Sequence, residues 1–341
     1  MNVPGKLTLA ASILGGVHVA ALAAGFLAPY GPTEQSRAWP YAPPTRLHFV
    51  DDVGRLHLRP FVYALADDGT VSGRYHEDRS QLFPIRFLVR SSAALGGSGE
   101  RWRLFGVDEP ARVFLLGTDG FGRDQLSRLL HGARISLFAG LLATGISLGL
   151  GWVLGTVAGF YGRWTDTVLM RAADVFLALP WLYLLFAVRA VLPLHLSADQ
   201  AFLMLVLVIG LVDWARPARL VRGLVLSERE RNYVRAARGF GASDWYLVRR
   251  HIAPQTFGLL LTQAALLVPQ YILAEVTLSF LGLGVGEPVP SWGNMLAALQ
   301  RYHVLSSYWW MWAPGLALVP VFLSYSALSE ALHSRVGPAS S

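Results

Sequence analysis

The chain has no cysteine among its 341 residues, and Lys6 is its only lysine. The missing cysteine excludes disulfides, thiolate metal sites and a cysteine nucleophile, and leaves the redox compartment open. A phosphate-binding loop of the form Gly-x4-Gly-Lys-Ser/Thr is excluded too, because Lys6 stands in no such context. Another catalytic pattern is incomplete. His76-Glu77 begins an HExxH, but Ser80 stands where the second histidine is needed. Charge is scarce. Asp, Glu, Lys and Arg make up 15% of the chain, where soluble domains average about a quarter. The net charge of +7 is not a nucleic-acid footprint, because its arginines are spread out or flank apolar runs.

Apolar sequence is abundant: 53% of residues are hydrophobic and the mean hydropathy is +0.42. A membrane span needs about 20 apolar residues, and six candidates appear. They are 7–28, 135–160, 175–194 (interrupted by Pro180 and Arg189), 201–214, 257–283 and 309–328. Lys6 and Ala21-Leu22-Ala23 resemble a cleavable leader, but the first run is long for one, so a retained helix is expected. Arginine in short loops sets orientation. The segment 215–256 carries nine arginines, whereas 195–200 and 284–308 hold only Arg301. Both termini are therefore expected in the cytoplasm, with residues 29–134 outside.

That outer segment opens on a linker, Pro40–Pro44. Short alternating runs follow from Leu47 to Val89, with a turn signal at Asp67-Asp68-Gly69. "PIRFLVR" and "RWRLFGV" look like strands. A small, mostly β insert is expected, an irregular loop being the alternative. From Asp124, a plausible N-cap, Leu126, Leu129, Leu130 and Ala133 sit at helical spacing, which predicts an amphipathic helix at the outer surface before the second span.

Gly151, Gly155 and Gly159 recur every four residues in the second span. They predict a groove for close helix packing, unless the span is simply glycine-rich. Glu275 lies within the fifth span. A carboxylate there costs roughly 2.5–3.5 kcal/mol on insertion scales, so it should face protein or water, as a pathway or gate group or as a structural hydrogen-bonding one. His18 in the first span reads as packed, and Arg189 as snorkelling to the interface.

The stretch Tyr233–Pro254, "YVRAARGFGASDWYLVRRHIAP", separates two apolar runs. Tyr233, Ala236, Ala237 and Phe240 follow i, i+3, i+4, i+7, with Arg231, Arg235 and Arg238 opposite. Gly241 then suits a left-handed C-terminal position. Ser243 suits an N-cap with Asp244 in the next first turn, Arg249, Arg250 and His251 a last turn, and Pro254 the start of the fifth span. Helix, glycine turn and helix are predicted. Such an element can meet a protein partner or lie on anionic lipid, and periodicity alone does not choose.

The stretch resembles the cytoplasmic EAA loop of permease subunits in ATP-driven (ABC) importers. Ala236, Ala237, Gly241 and Pro254 match that pattern at its spacing. Arg235 stands where glutamate is usual, His251 where isoleucine is usual and Ala253 where leucine is usual. "LGTDGFGRDQLSRLLHGARISLFAGLLA", "GFYGRWTDTVLMRAADVFLALP", "ARPARLVRGLVLSERERNYVRAARGFGASD" and "ILAEVTLSFLGLGVGEPVPSWGNML" are similar to the dipeptide/oligopeptide permease family, nearest its C-type subunit. The resemblance covers most of 116–335 and implies an all-α polytopic protein of six transmembrane helices, the type I importer fold. A first helix at 1–30, an extracytoplasmic insert at 31–116 and a permease domain at 117–341 are expected, with a coupling loop at 216–254.

The resemblance further implies a non-catalytic inner-membrane permease that imports peptides by alternating access. Two separate ATPase subunits would bind the ATP and magnesium, this chain holding no cofactor or metal. They would dock on Arg235, Ala236, Ala237, Gly241, Asp244 and Pro254. A second, B-type permease and an extracytoplasmic binding protein would complete the system, in the lipid bilayer and without nucleic acid. The competing readings are a secondary transporter or channel not driven by ATP, and a membrane-anchored scaffold acting through its insert. The substrate is not named by the sequence.

Overall fold

A computed structural model of the chain describes residues 3–67, 75–92, 100–191 and 197–336. Two compact units form. One gathers Met1–Leu14, Leu137–Leu278 and Pro320–Ser341, the other Gly15–Ser136 and Ser279–Val319.

Four helices are long and apolar enough to cross a membrane, and six spans result if each of two bent helix pairs counts as one. The helix Gln125–Tyr161 runs 37 residues without a break. The separate surface helix expected before the second span therefore does not exist. No proline interrupts 125–161, and the first turns are anchored in protein, with Gln125, Ser127, Arg128 and Ala133 all buried. Asp124 does cap this helix: its Oδ2 accepts from the Ser127 N–H at 2.7 Å and the Ser127 hydroxyl at 2.6 Å.

The third candidate span is not one helix. Arg163–Ala178 and Trp181–Val191 meet at 92°. Leu179, directly before Pro180, is extended (φ −87°, ψ 137°), as the residue before proline prefers. The fourth run forms Ala198–Val212, capped by Ser197 and bent by 44° at Asp213-Trp214 into the helix Ala215–Arg229.

Between the first two long helices the chain forms β structure. Strands β1 (His48–Val50), β2 (Leu56–Asp67) and β3 (Tyr75–Pro84) make an antiparallel sheet in that order, and β4 (Arg86–Ser92) pairs antiparallel with β5 (Glu100–Gly106). Val62, Phe83, Ile85, Ala111 and Val113 form its small core. The Asp67-Asp68-Gly69 turn lies outside the described residues after Asp67.

In the first unit the glycines of the long helix meet the Ala215–Arg229 helix. A Cβ on Gly151 would stand 2.8 Å from Pro217 Cβ, one on Gly155 would collide with the Ala218 carbonyl oxygen, and one on Gly159 would stand 2.9 Å from the Arg222 carbonyl oxygen. Backbone thus meets backbone along three turns. Arg229 Nη1 closes the far end by donating to the Gly159 carbonyl at 2.9 Å. Gly155→Val is expected to destabilise by about 1–3 kcal/mol through overpacking, read as a lower Tm in detergent. Gly149→Val is the control, because no atom lies within 4 Å of its added carbon.

Candidate functional site: a rigid loop beside the spans

The helix Asn232–Gly239 ends in a Schellman turn. The Ala242 N–H donates to the Ala237 carbonyl at 3.1 Å and the Gly241 N–H to the Arg238 carbonyl at 3.0 Å, with Gly241 at φ +85°. Both bonds satisfy carbonyls that a helix end leaves open, and the left-handed residue is one where a side chain is strained. The Ser243 hydroxyl then accepts from the Tyr246 N–H at 3.3 Å and caps the next helix.

That next helix differs from the sequence reading. It does not stop near His251 and restart at Pro254. Asp244–Leu247 passes through a π-turn, Val248–Ile252, directly into Ala253–Phe280. Proline cannot donate an N–H, and its ring crowds the carbonyl four residues back. The wider turn, in which the Ala253 N–H reaches the Val248 carbonyl, carries the helix past Pro254. The loop is thereby continuous with a span.

The buried face also differs. Val234, not Tyr233 or Phe240, points inward. It joins Phe160, Val221, Val225, Leu247 and Ile252 in one core cluster, with Ala237 packed at its margin. Phe240 is 93% and Trp245 71% exposed, and Ala236 is exposed too. Val234 fills this interior position and the large rings of Phe240 and Trp245 stay outside. Arg238 lies over the Phe160 ring at 5.3 Å and reaches Asp244 at 3.5 Å. Arg235 pairs with Glu230 at 3.1 Å.

Glu275 is fully buried in the first unit, on the same continuous helix as Pro254. A polar knot missed by the sequence reading lies there too. The Tyr271 hydroxyl reaches Asp213 Oδ2 at 3.0 Å and Ser147 Oγ at 2.9 Å, and Ser147 Oγ donates to the Asp213 carbonyl at 3.0 Å. It ties three helices at the bend beside Asp213. The signal was legible: Asp213 is an acid within an apolar run, flagged by the same logic as Glu275.

The second unit holds an ion cluster, also missed. Arg123 Nε donates to Asp119 Oδ2 at 2.7 Å, Arg123 Nη1 to Glu287 Oε2 at 2.5 Å, and Arg128 Nη2 to Glu287 Oε1 at 3.0 Å. Both arginines are buried.

Residues 151–338 match the family of binding-protein-dependent transport system inner membrane components. This chain belongs to that family. A Brucella suis biovar 1 protein named for peptide permease activity is 37% identical over 230 residues, 67% of this chain and 74% of that protein. The dipeptide transport system permease protein DppC of Alkalihalophilus pseudofirmus is 34% identical over 67% of this chain and 73% of its own length. Among solved structures, an inward-facing MetNI methionine ABC transporter aligns at a TM-score of 0.46 and 15% identity, over 61% of this chain and 95% of that chain. The protein is thus a multi-pass inner-membrane permease of a binding-protein-dependent importer, and non-catalytic.

One group at the entry of this permease's long helix titrates near neutrality. Burial pushes the Asp124 carboxyl from 3.8 up to about 7. The folded chain then holds a proton that the unfolded chain has released, so stability falls as pH rises from about 4 to 7 and the loss is complete above it. That difference corresponds to about 4 kcal/mol at most. Asp124→Asn is expected to flatten the fall in Tm between pH 5 and pH 8, measured by thermal unfolding in detergent.

Proposed function

We propose that this permease imports short peptides, driven by two ATPase subunits that dock on the loop around Gly241. The peptide assignment rests on relatives bearing peptide and dipeptide permease names at 34–38% identity. The docking assignment rests on one observation: the 232–254 segment is locked at both ends of its glycine turn yet presents Phe240 and Trp245 to the outside. A docking element needs both properties, rigidity to transmit displacement and unpartnered aromatic area to bind. Ala236, Ala237 and Gly241 form its small-residue surface, Arg235 and Asp244 its charged rim, and Pro254 its junction with the span.

ATP-driven closure of the ATPase pair displaces the docked helix. The displacement enters the span that carries Tyr271 and Glu275 without an intervening hinge loop, because the helix runs unbroken from Asp244 to Phe280. The close-packed glycines Gly151, Gly155 and Gly159 keep the neighbouring helix in step, and Glu275 serves as a pathway or gate group. ATP and magnesium bind on the partner ATPases. A B-type permease pairs with this chain, and an extracytoplasmic binding protein delivers substrate. Both termini are cytoplasmic. Residues 1–30 form the first transmembrane helix, 31–116 an outer insert on the delivery side, and 117–341 the permease domain.

Gly241→Pro and Ala237→Trp are expected to abolish co-purification of the ATPase subunits while membrane insertion persists. Retained ATPases with undiminished transport would falsify the docking assignment.

A further inference from the structure

The second unit contains a cavity of about 740 Å³, within the roughly 300–1,000 Å³ usual for small-molecule sites. Its walls come from the 119–128 turn, the 279–287 loop and the short helices near 294–303. Two features mark it as more than a gap. The first is charge. Asp119 and Glu287 are balanced by Arg123 and Arg128, but Arg301, which also lines the cavity, has no carboxylate partner among the described residues. The Tyr41 hydroxyl stands beside it. One positive charge is therefore left over. The second is Gln125, 1% exposed and on the cavity wall. One end of its amide meets Met311 Sδ, and the other end, Oε1, has no partner among the described residues. A buried amide end without a hydrogen bond is costly unless a ligand or water supplies one. Either orientation of the amide leaves one end open.

We infer that this cavity is a binding subsite for a short peptide, with Arg301 taking the C-terminal carboxylate and Gln125 a backbone amide group. Phe121, Phe280 and Met295 supply apolar wall for side chains of varied size, which suits a ligand recognised through its main chain. The subsite is distinct from the ATPase-docking loop. It rests on the peptide-import reading above.

The test uses the complete transporter in proteoliposomes with its binding protein, measuring ATP-driven uptake of trialanine and of trialanine amide. Arg301→Gln is expected to lower the ratio of free-acid to amide uptake about tenfold, and Arg301→Lys to keep most of it. The binding protein is unchanged in every sample, so its own preference cancels in the comparison. An unaltered ratio in Arg301→Gln, with wild-type uptake present, overturns the subsite alone. If the wild type takes up neither peptide, the peptide reading falls and the subsite with it. A second measurement needs no variant. A diazirine-bearing trialanine is expected to label the wild-type chain within 119–128 or 279–303, with protection by excess trialanine, and labelling confined to other segments overturns the proposal.

Discussion

The approach of the Gln125–Tyr161 helix to the Ala215–Arg229 helix is the constraint on which the first unit depends. At Gly151, Gly155 and Gly159 there is no space for a single carbon. Apolar side chains gain nothing by leaving lipid for protein, so helices associate through dispersion contacts and hydrogen bonds, both of which need short distances. The glycines provide that distance. Val221 and Val225 on the facing helix then form a floor on which Val234, Leu247 and Ile252 can pack. Without this floor the polar 232–254 segment would have nothing to lie against.

Several polar groups in the same unit answer one another within the protein, as a hydrocarbon environment favours. Ser147, Asp213 and Tyr271 answer one another at the bend where one span breaks. Arg222 reaches Asp166, and Arg219 reaches Asp174, tying the arginine-rich helix to its neighbour. Part of the positive charge that the sequence concentrates in this segment thus also fastens it. Arg235 is a different case. It pairs with Glu230, but both side chains are more than half exposed, and such a pair is worth about 0–1 kcal/mol. Its charge remains available to a partner surface, at the position where the EAA pattern that the loop resembles has glutamate.

The second unit follows another logic. Its backbone turns around Asp119, whose Oδ1 accepts from the Phe121 and Arg123 N–H groups, while Gly122 at φ +68° stands against the Ser36 carbonyl. The turn brings Arg123 and Arg128 to Glu287, 159 residues beyond Arg128. The arginines are buried but Glu287 is 46% exposed, so removing Glu287 would leave buried cations without that partner, which is costly. What the cluster does is fix the position of the 281–290 loop relative to the start of the long helix, and so the shape of the cavity between them.

Hydropathy and composition by themselves marked the chain as a membrane protein with six candidate spans, because apolar length is a local property. The glycine spacing, the Gly241 turn and the Ser243 cap were legible for the same reason, each being set within a few residues. Two strands of the insert were legible from alternation. Tertiary structure decided the rest. It decided that Pro254 is passed by a π-turn, because the helix is held on both sides of it. It decided that Val234 and not Phe240 faces inward, because Phe160, Val221, Val225, Leu247 and Ile252 close around Val234. It alone assembled Ser147 with Asp213 and Tyr271, and Asp119 with Arg123, Arg128 and Glu287. Glu287 lies more than 150 residues from both arginines, and Ser147, Asp213 and Tyr271 lie tens to more than a hundred residues apart, so no local preference encodes which polar group will meet which.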